Sequence, residues 1–186
     1  MKDLVYIPAK SVLFVCLGNI CRSPIAEGVF RHVASKHPAL AGLTIDSAGL
    51  GSWHVGQPPD RRAQEALASH GIDISELRAR QVTRDDFEAF DLILAMDKSN
   101  RQGLLKLASK DHHDKIRLFM DCAPHFGVHE IPDPFFGAKE GFDYVVQLID
   151  AASRGLIRSL TPRKEAPGHL SQSTAPTSRP LVPLDG

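Results

Sequence analysis

Three cysteines in 186 residues, Cys16, Cys21 and Cys122, are too few and too irregularly spaced for the disulfide framework of a small secreted domain. No Cys-x-x-Cys pair is present to begin a zinc site. An excess of charge is also missing, because 22 Lys and Arg balance 22 Asp and Glu. That balance excludes bulk attachment to nucleic acid or an anionic membrane and leaves room only for a local basic pocket. No apolar run approaches the length of a membrane span, and the leading MKDLVYIPAK has no stretch apolar enough for a secretory signal. A soluble, cytoplasmic protein with no nucleic-acid or membrane partner is expected. The adjacent His112 and His113 read as part of a solvated loop, since nothing nearby completes a ligand set. No metal and no cofactor is expected.

What is present is an alternation of apolar runs and helical patterns. SVLFVC (Ser11–Cys16), LTIDSAG (Leu43–Gly49), DLILAMD (Asp91–Asp97) and KIRLFMD (Lys115–Asp121) read as four short strands. Between them, SPIAEGVFRHVASK places Ile25, Val29 and Val33 on one helical face, with Ser23 as a fair N-cap and Pro24 at the first helical position. PDRRAQEALASHG predicts a helix from about Asp60, stopped by Gly71, and SNRQGLLKLA another. A last helix covers Gly141–Leu160. Strands of continuous apolar character separated by helices predict an α/β fold, a four-stranded parallel sheet covered on both faces. Its domain spans residues 11–160, after an extension at 1–10. The Pro-, Ser- and Thr-rich stretch 161–186 has no apolar periodicity and is expected to be a disordered tail.

The loop Leu17-Gly18-Asn19-Ile20-Cys21 joins the end of the first strand to a helix, and Arg22 follows five residues after Cys16. Gly18 and Asn19 tolerate positive φ, so a tightly curled backbone is permitted. Curled backbones direct N–H groups inward and form a nest for an anion, and the helix start adds its free N–H groups and dipole. Arg22 supplies a planar fork for two oxygens of a tetrahedral oxyanion. The same surroundings favour a thiolate at Cys16, placed beneath a phosphate-like group and ready to attack phosphorus. A buried structural cysteine closing a strand is the competing reading; the position between a strand and a Pro-started helix, where ligands bind in parallel α/β sheets, favours the site.

The stretch VLFVCLGNICRSPIAEGVF resembles the signature of the low-molecular-weight protein tyrosine phosphatases, and the resemblance continues in DSAGLGSWHVGQPPDRRA, ARQVTRDDFEAFDLILAMDKSN and IPDPFFG. It covers about Val12 to Leu160 and implies a flavodoxin-like three-layer fold with a phosphate-binding loop after the first strand. It also implies hydrolysis of phosphotyrosine in proteins, and of small aryl phosphates, by a metal-independent route. On this resemblance Cys16 is the nucleophile that becomes phosphocysteine, Arg22 binds the phosphoryl group, and Asp133 is the general acid and then base. Leu17, Gly18, Asn19, Ile20, Cys21 and Ser23 would surround the substrate, Asn19 locking the loop and Ser23 bonding the Cys16 thiolate. Ser47 would support Asn19, while Trp53, Phe135 and Phe136 would form an aromatic rim; ordinary core residues are the less favoured reading of these three. Phosphotyrosine-containing proteins are the implied partners, and a monomer is expected.

Two positions depart from the pattern. Phe135 and Phe136 stand where many relatives carry tyrosines, so stacking is kept but phosphorylation there is impossible. Leu77 stands where histidine is common beside the Asn19 brace, so either the brace is weaker or another group replaces it. Cys21 could trap an oxidised Cys16 as a reversible disulfide. A thiol-linked arsenate reductase on the same scaffold would need further redox cysteines, and Cys122 stands alone. A phosphotyrosine-binding adaptor would not need Cys16, Arg22 and Asp133 together.

Overall fold

The computed structural model describes residues 6–161; the expected tail, apart from Thr161, lies outside them. Four strands form the sheet: β1 (Ser11–Cys16), β2 (Thr44–Gly49), β3 (Leu92–Ala95) and β4 (Ile116–Leu118). The helices are α1 (Arg22–Ala34), α2 (Arg61–Ala68), α3 (Arg84–Ala89), α4 (Lys98–Leu107) and α5 (Lys139–Leu160), and short 3-10 turns fill several connections. The strands run in the order β2-β1-β3-β4 and every pairing is parallel.

Alternation along β1 explains the three layers. Val12 and Phe14 face the core under α1, α2 and α5, while Leu13 and Val15 face the smaller core under α3 and α4. β3 divides in the same way, Leu92 and Leu94 to one face and Ile93 and Ala95 to the other. Both faces are covered, so all four residues are buried and the strands read as unbroken apolar runs. Phe14 anchors the larger core between Phe30 (ring centroids 5.5 Å apart) and Phe119 (4.9 Å). Truncating such a ring costs about 3–5 kcal/mol.

Several boundaries differ from the sequence reading. α1 begins at Arg22 with Cys21 as its N-cap, so Ser23 and Pro24 sit inside the first turn. Ser23 does not cap the helix because its hydroxyl is turned to Cys16 instead. β4 stops at Leu118, since Phe119–Cys122 winds into a 3-10 turn. The His112-His113 segment is likewise a 3-10 turn, Lys110–Lys115, rather than a loop. His112 stacks on Phe87 there and bonds Glu88. α3 is an addition to the helices expected from the sequence; a reciprocal capping box between Thr83 and Asp86 starts it. α2 follows the expectation, with Asp60 as N-cap accepting from Arg62 N–H, and Gly71 at φ +71° just beyond its end. Among the described residues, no helix is long and apolar enough to cross a membrane.

The strand order reverses between β1 and β3, because the chain leaves β1 toward β2 on one side and returns to β3 on the other. Ligands of open α/β sheets bind beyond the carboxyl ends of strands at such a reversal. Cys16 ends β1 there, and Met96-Asp97 follow β3 beside it.

Candidate active site

The turn from β1 into α1 is built around the Cys16 sulfur. Asn19 is the only non-glycine residue with positive φ among the described residues, at 55°. That conformation aims its backbone N–H at Cys16 Sγ, 3.2 Å away. Gly18 does not take positive φ; its smallness is used in another way, since a Cβ there would lie 3.1 Å from His54 Cδ2. Ser23 Oγ lies 3.0 Å from the sulfur and accepts from Asn19 Nδ2 at 2.9 Å. Its single proton is thereby free to point at Cys16 Sγ or at the Ala48 carbonyl, 3.3 Å off. Among the described residues, the backbone N–H groups of Leu17, Gly18, Ile20, Cys21 and Arg22 meet no protein acceptor. Five unpaired donors in one turn, joined to a helix start, are the donor set of an anion nest.

A buried network holds the turn in shape. Asn19 Nδ2 also donates to Ser47 Oγ (2.9 Å), and Asn19 Oδ1 accepts from Arg80 N–H (2.9 Å). Ser47 Oγ donates to Glu27 Oε2 at 2.7 Å, and Glu27 is gripped by Arg31 one helical turn on. Leu77 makes no polar contribution and packs at the edge of the larger core. Glu27 thus ends the chain of bonds that begins at Asn19. Gly49 closes on the loop from behind, where a Cβ would lie 3.0 Å from Leu17 O, Gly18 C and Asn19 N.

Arg22 is 3% exposed. Its Nη1 donates to Asp97 Oδ2 (2.5 Å) and to Ile131 O (3.1 Å), and its Nη2 to Asp133 Oδ2 (3.0 Å). Burial works against its positive charge, but Cys16, the hydrogen bond to Asp97 and the Asp133 carboxylate outweigh that, and its pKa is raised. Asp97 is itself held as the N-cap of α4, accepting from Asn100 N–H. Asp133, 111 positions from Arg22 in sequence, also accepts from Phe135 N–H.

Cys16, Leu17, Gly18, Ile20, Cys21 and Arg22 share one cleft with Trp53, Asp133, Phe135 and Phe136. Trp53 (69% exposed) and Phe136 (98%) stand at its mouth and are not core residues. Asn19, Ser23 and Ser47 lie buried behind the cleft, with their side chains spent on the sulfur and on one another. Cys21 remains a free thiol; burial first, then Asp60 and Cys16, push its pKa up. Cys122 is buried outside the cleft, and burial raises its thiol to about 12. The residues unnoticed in sequence are Asp97, Glu27, Arg80, His54 and Arg62. Asp97 carried an N-cap signal, and Glu27 is a charge set among the apolar residues of α1.

A family model described as low molecular weight phosphotyrosine protein phosphatase matches residues 11–166. The chain is 40% identical over 155 residues to the low molecular weight protein-tyrosine-phosphatase YfkJ of Bacillus subtilis, covering 83% of this chain and 98% of that one. It is 45% identical over 140 residues to the low molecular weight phosphotyrosine protein phosphatase of Gallus gallus, covering 74% and 87%. The crystal structure of YfkJ superposes with a TM-score of 0.75 over 86% of this chain and 96% of its own, at 38% identity. That of an Entamoeba histolytica protein tyrosine phosphatase with Hepes in its active site gives 0.76 over 79% and 94%, also at 38%.

Proposed function

The chain belongs to the low molecular weight phosphotyrosine protein phosphatase family, and from that premise we propose that it hydrolyses phosphotyrosine in proteins through a phosphocysteine on Cys16. The observation that carries the mechanism is the meeting of three groups in one cleft: the Cys16 sulfur, the Arg22 guanidinium, and the Asp133 carboxyl 3.0 Å from that guanidinium. Asn19 N–H donates to the Cys16 sulfur and Ser23 Oγ lies 3.0 Å from it, so both are placed to hydrogen-bond the sulfur as it reacts. It attacks phosphorus as the bond from phosphorus to the phenolic oxygen breaks, and Asp133 gives that oxygen its proton. The loop N–H groups and Arg22 hold the three remaining oxygens, where the charge of the transferring group is spread. Asp133, now ionised, takes a proton from water as the water oxygen attacks phosphorus. The sulfur–phosphorus bond breaks, phosphate leaves and the thiolate returns. No step calls for a metal ion, because positioned donors meet the charge.

Trp53, Phe135 and Phe136 give the mouth of the cleft apolar faces on which a phenyl ring can stack. Phosphotyrosine-containing proteins are the substrates this rim fits, and we assign the protein to the cytoplasm, as a monomer. We assign this activity to the domain at residues 11–160.

Purified full-length protein should turn over p-nitrophenyl phosphate and a phosphotyrosine peptide, with no change on adding chelator. No turnover, or turnover lost to chelator, would refute metal-free phosphatase chemistry. Cys16→Ser should abolish turnover and still bind phosphate analogues; retained activity would remove Cys16 from its role. Asp133→Ala should lower kcat/KM for phenyl phosphate by about 10²-fold or more. The loss should be far smaller for 2,4-dinitrophenyl phosphate, whose phenolate leaves without a proton.

A further inference from the structure

Asp133 sits on an exposed stretch, and something must hold its carboxyl over the cleft. Ile131 is buried and its N–H donates to Met96 O (2.8 Å), just past the end of β3. Beyond Ile131, the hydrogen bonds that link residues 132–137 to other elements, among the described residues, come from two arginines. Arg22 takes the Asp133 carboxylate itself. Arg62, on the first turn of α2, donates from Nη2 to Phe135 O (3.0 Å) and from Nη1 to Gly137 O (3.1 Å). Its guanidinium carbon lies 5.8 Å from the centre of the Phe135 ring and 4.7 Å from that of Phe142, a buried residue in the first turn of α5.

Arg62 is in turn held by Asp60, which receives Nε at 3.0 Å and Nη2 at 2.8 Å in a two-point fork. Asp60 also donates its backbone N–H to Ile20 O at 2.7 Å, inside the loop that carries the nucleophile. An unbroken path therefore runs from Ile20 through Asp60 and Arg62 to the carbonyls flanking Phe136. We infer that Arg62 is a positioning residue for the general acid, a clamp that sets the Asp133 loop against the Cys16 loop. The inference rests on Asp133 being the acid. A planar fork has donors for a carboxylate and two carbonyls at once, and a flat face for two rings; lysine has neither geometry. An acid displaced by about 1 Å can lose on the order of a hundredfold of its effect.

The test uses full-length Arg62→Gln, with Arg62→Lys carrying it if the first variant fails to fold. The substrates are phenyl phosphate and 2,4-dinitrophenyl phosphate. With either variant, kcat/KM for phenyl phosphate should fall roughly 10–100-fold, and for dinitrophenyl phosphate by less than about threefold. Inhibition by inorganic phosphate should stay at the wild-type level, because the nest is untouched. In an Asp133→Ala background, Arg62→Gln should bring no further loss on phenyl phosphate. Equal losses on the two substrates, further loss in the Asp133→Ala background, or a Lys variant with wild-type leaving-group dependence would each overturn the clamp. If Asp133→Ala alone leaves the leaving-group dependence unchanged, the acid assignment fails instead, and the two failures are told apart.

Discussion

Ser47 Oγ gives its one proton to Glu27 and must therefore receive the Asn19 amide as an acceptor. That direction orients Asn19 so that its amide nitrogen faces Ser47 and Ser23 and its oxygen meets Arg80 N–H. A neutral side chain with no strong acceptor would leave the Ser47 proton free to point elsewhere, and the Asn19 amide would lose its fixed sense. Glu27 is buried to 3% exposure, so its loss cannot be made good by bulk water. Leaving a buried donor unsatisfied costs about 1–3 kcal/mol. Glu27→Ala should therefore lower the melting temperature and cut kcat/KM about tenfold, for good and poor leaving groups alike, because the whole nest loosens. Glu27→Gln keeps an acceptor for Ser47 and should stay within about threefold of wild type. Thermal melts and kinetics on both aryl phosphates check this; an unaffected Glu27→Ala would mean that the leucine at 77 left no brace to replace.

At the scale of elements, the phosphate loop is a strand-to-helix turn compressed against the end of a neighbouring strand. β2 pairs with β1 to its last residue, Cys16 opposite Gly49. The chain after β2 then donates from Leu50 N–H to Cys16 O and from Gly51 N–H to Leu17 O. Gly49 allows that approach, because the atoms a Cβ would strike at 3.0 Å are backbone and cannot rotate away. Gly49→Ala should push the loop outward, costing about 1–3 kcal/mol by overpacking. It should also weaken inhibition by phosphate, measurable beside the melt; unchanged phosphate affinity would show that the loop is not set by this contact. β1 is legible in sequence as an unbroken apolar run, α1 by Pro24 at its start, and α5 by apolar residues recurring at helical spacing over 22 positions. α3 is not, as six residues with two buried positions show no period, and its start depends on the Thr83–Asp86 bonds. The nucleophile, the arginine and the acid were visible in local motifs, but Asp97 and Arg62 act on partners 75 and 73 positions away. Local sequence carries no trace of such pairings, only of the caps and charges that make them possible.

For the molecule as a whole, the site and the chain's entry lie at opposite ends of the sheet. Cys16, Asp97 and the loop after β2 gather at the carboxyl ends of the strands, whereas residues 6–10 lead into the amino end of β1. The sequence reading set 1–10 apart as an extension, yet part of it is bonded into the body. Ile7 N–H donates to Ser159 O at the end of α5, Lys10 N–H to Asp91 Oδ2, and Lys10 O accepts from Thr44 N–H. Ile7 and Ala9 also pack against the larger core. Three hydrogen bonds at about 1 kcal/mol each, with a partly buried isoleucine, contribute roughly 2–4 kcal/mol. A chain of residues 6–166 should then melt with the full-length protein, while one of residues 11–166 should melt about 5–15 °C lower. At temperatures where both are folded, kcat/KM for p-nitrophenyl phosphate should agree within about twofold, because no bond lost at the amino end reaches the Cys16 loop. Equal melting of the two chains would show that the strap contributes nothing. A loss of turnover in step with the loss of stability would show that the two ends of the sheet are coupled, since strain at the start of β1 would then be felt at Cys16.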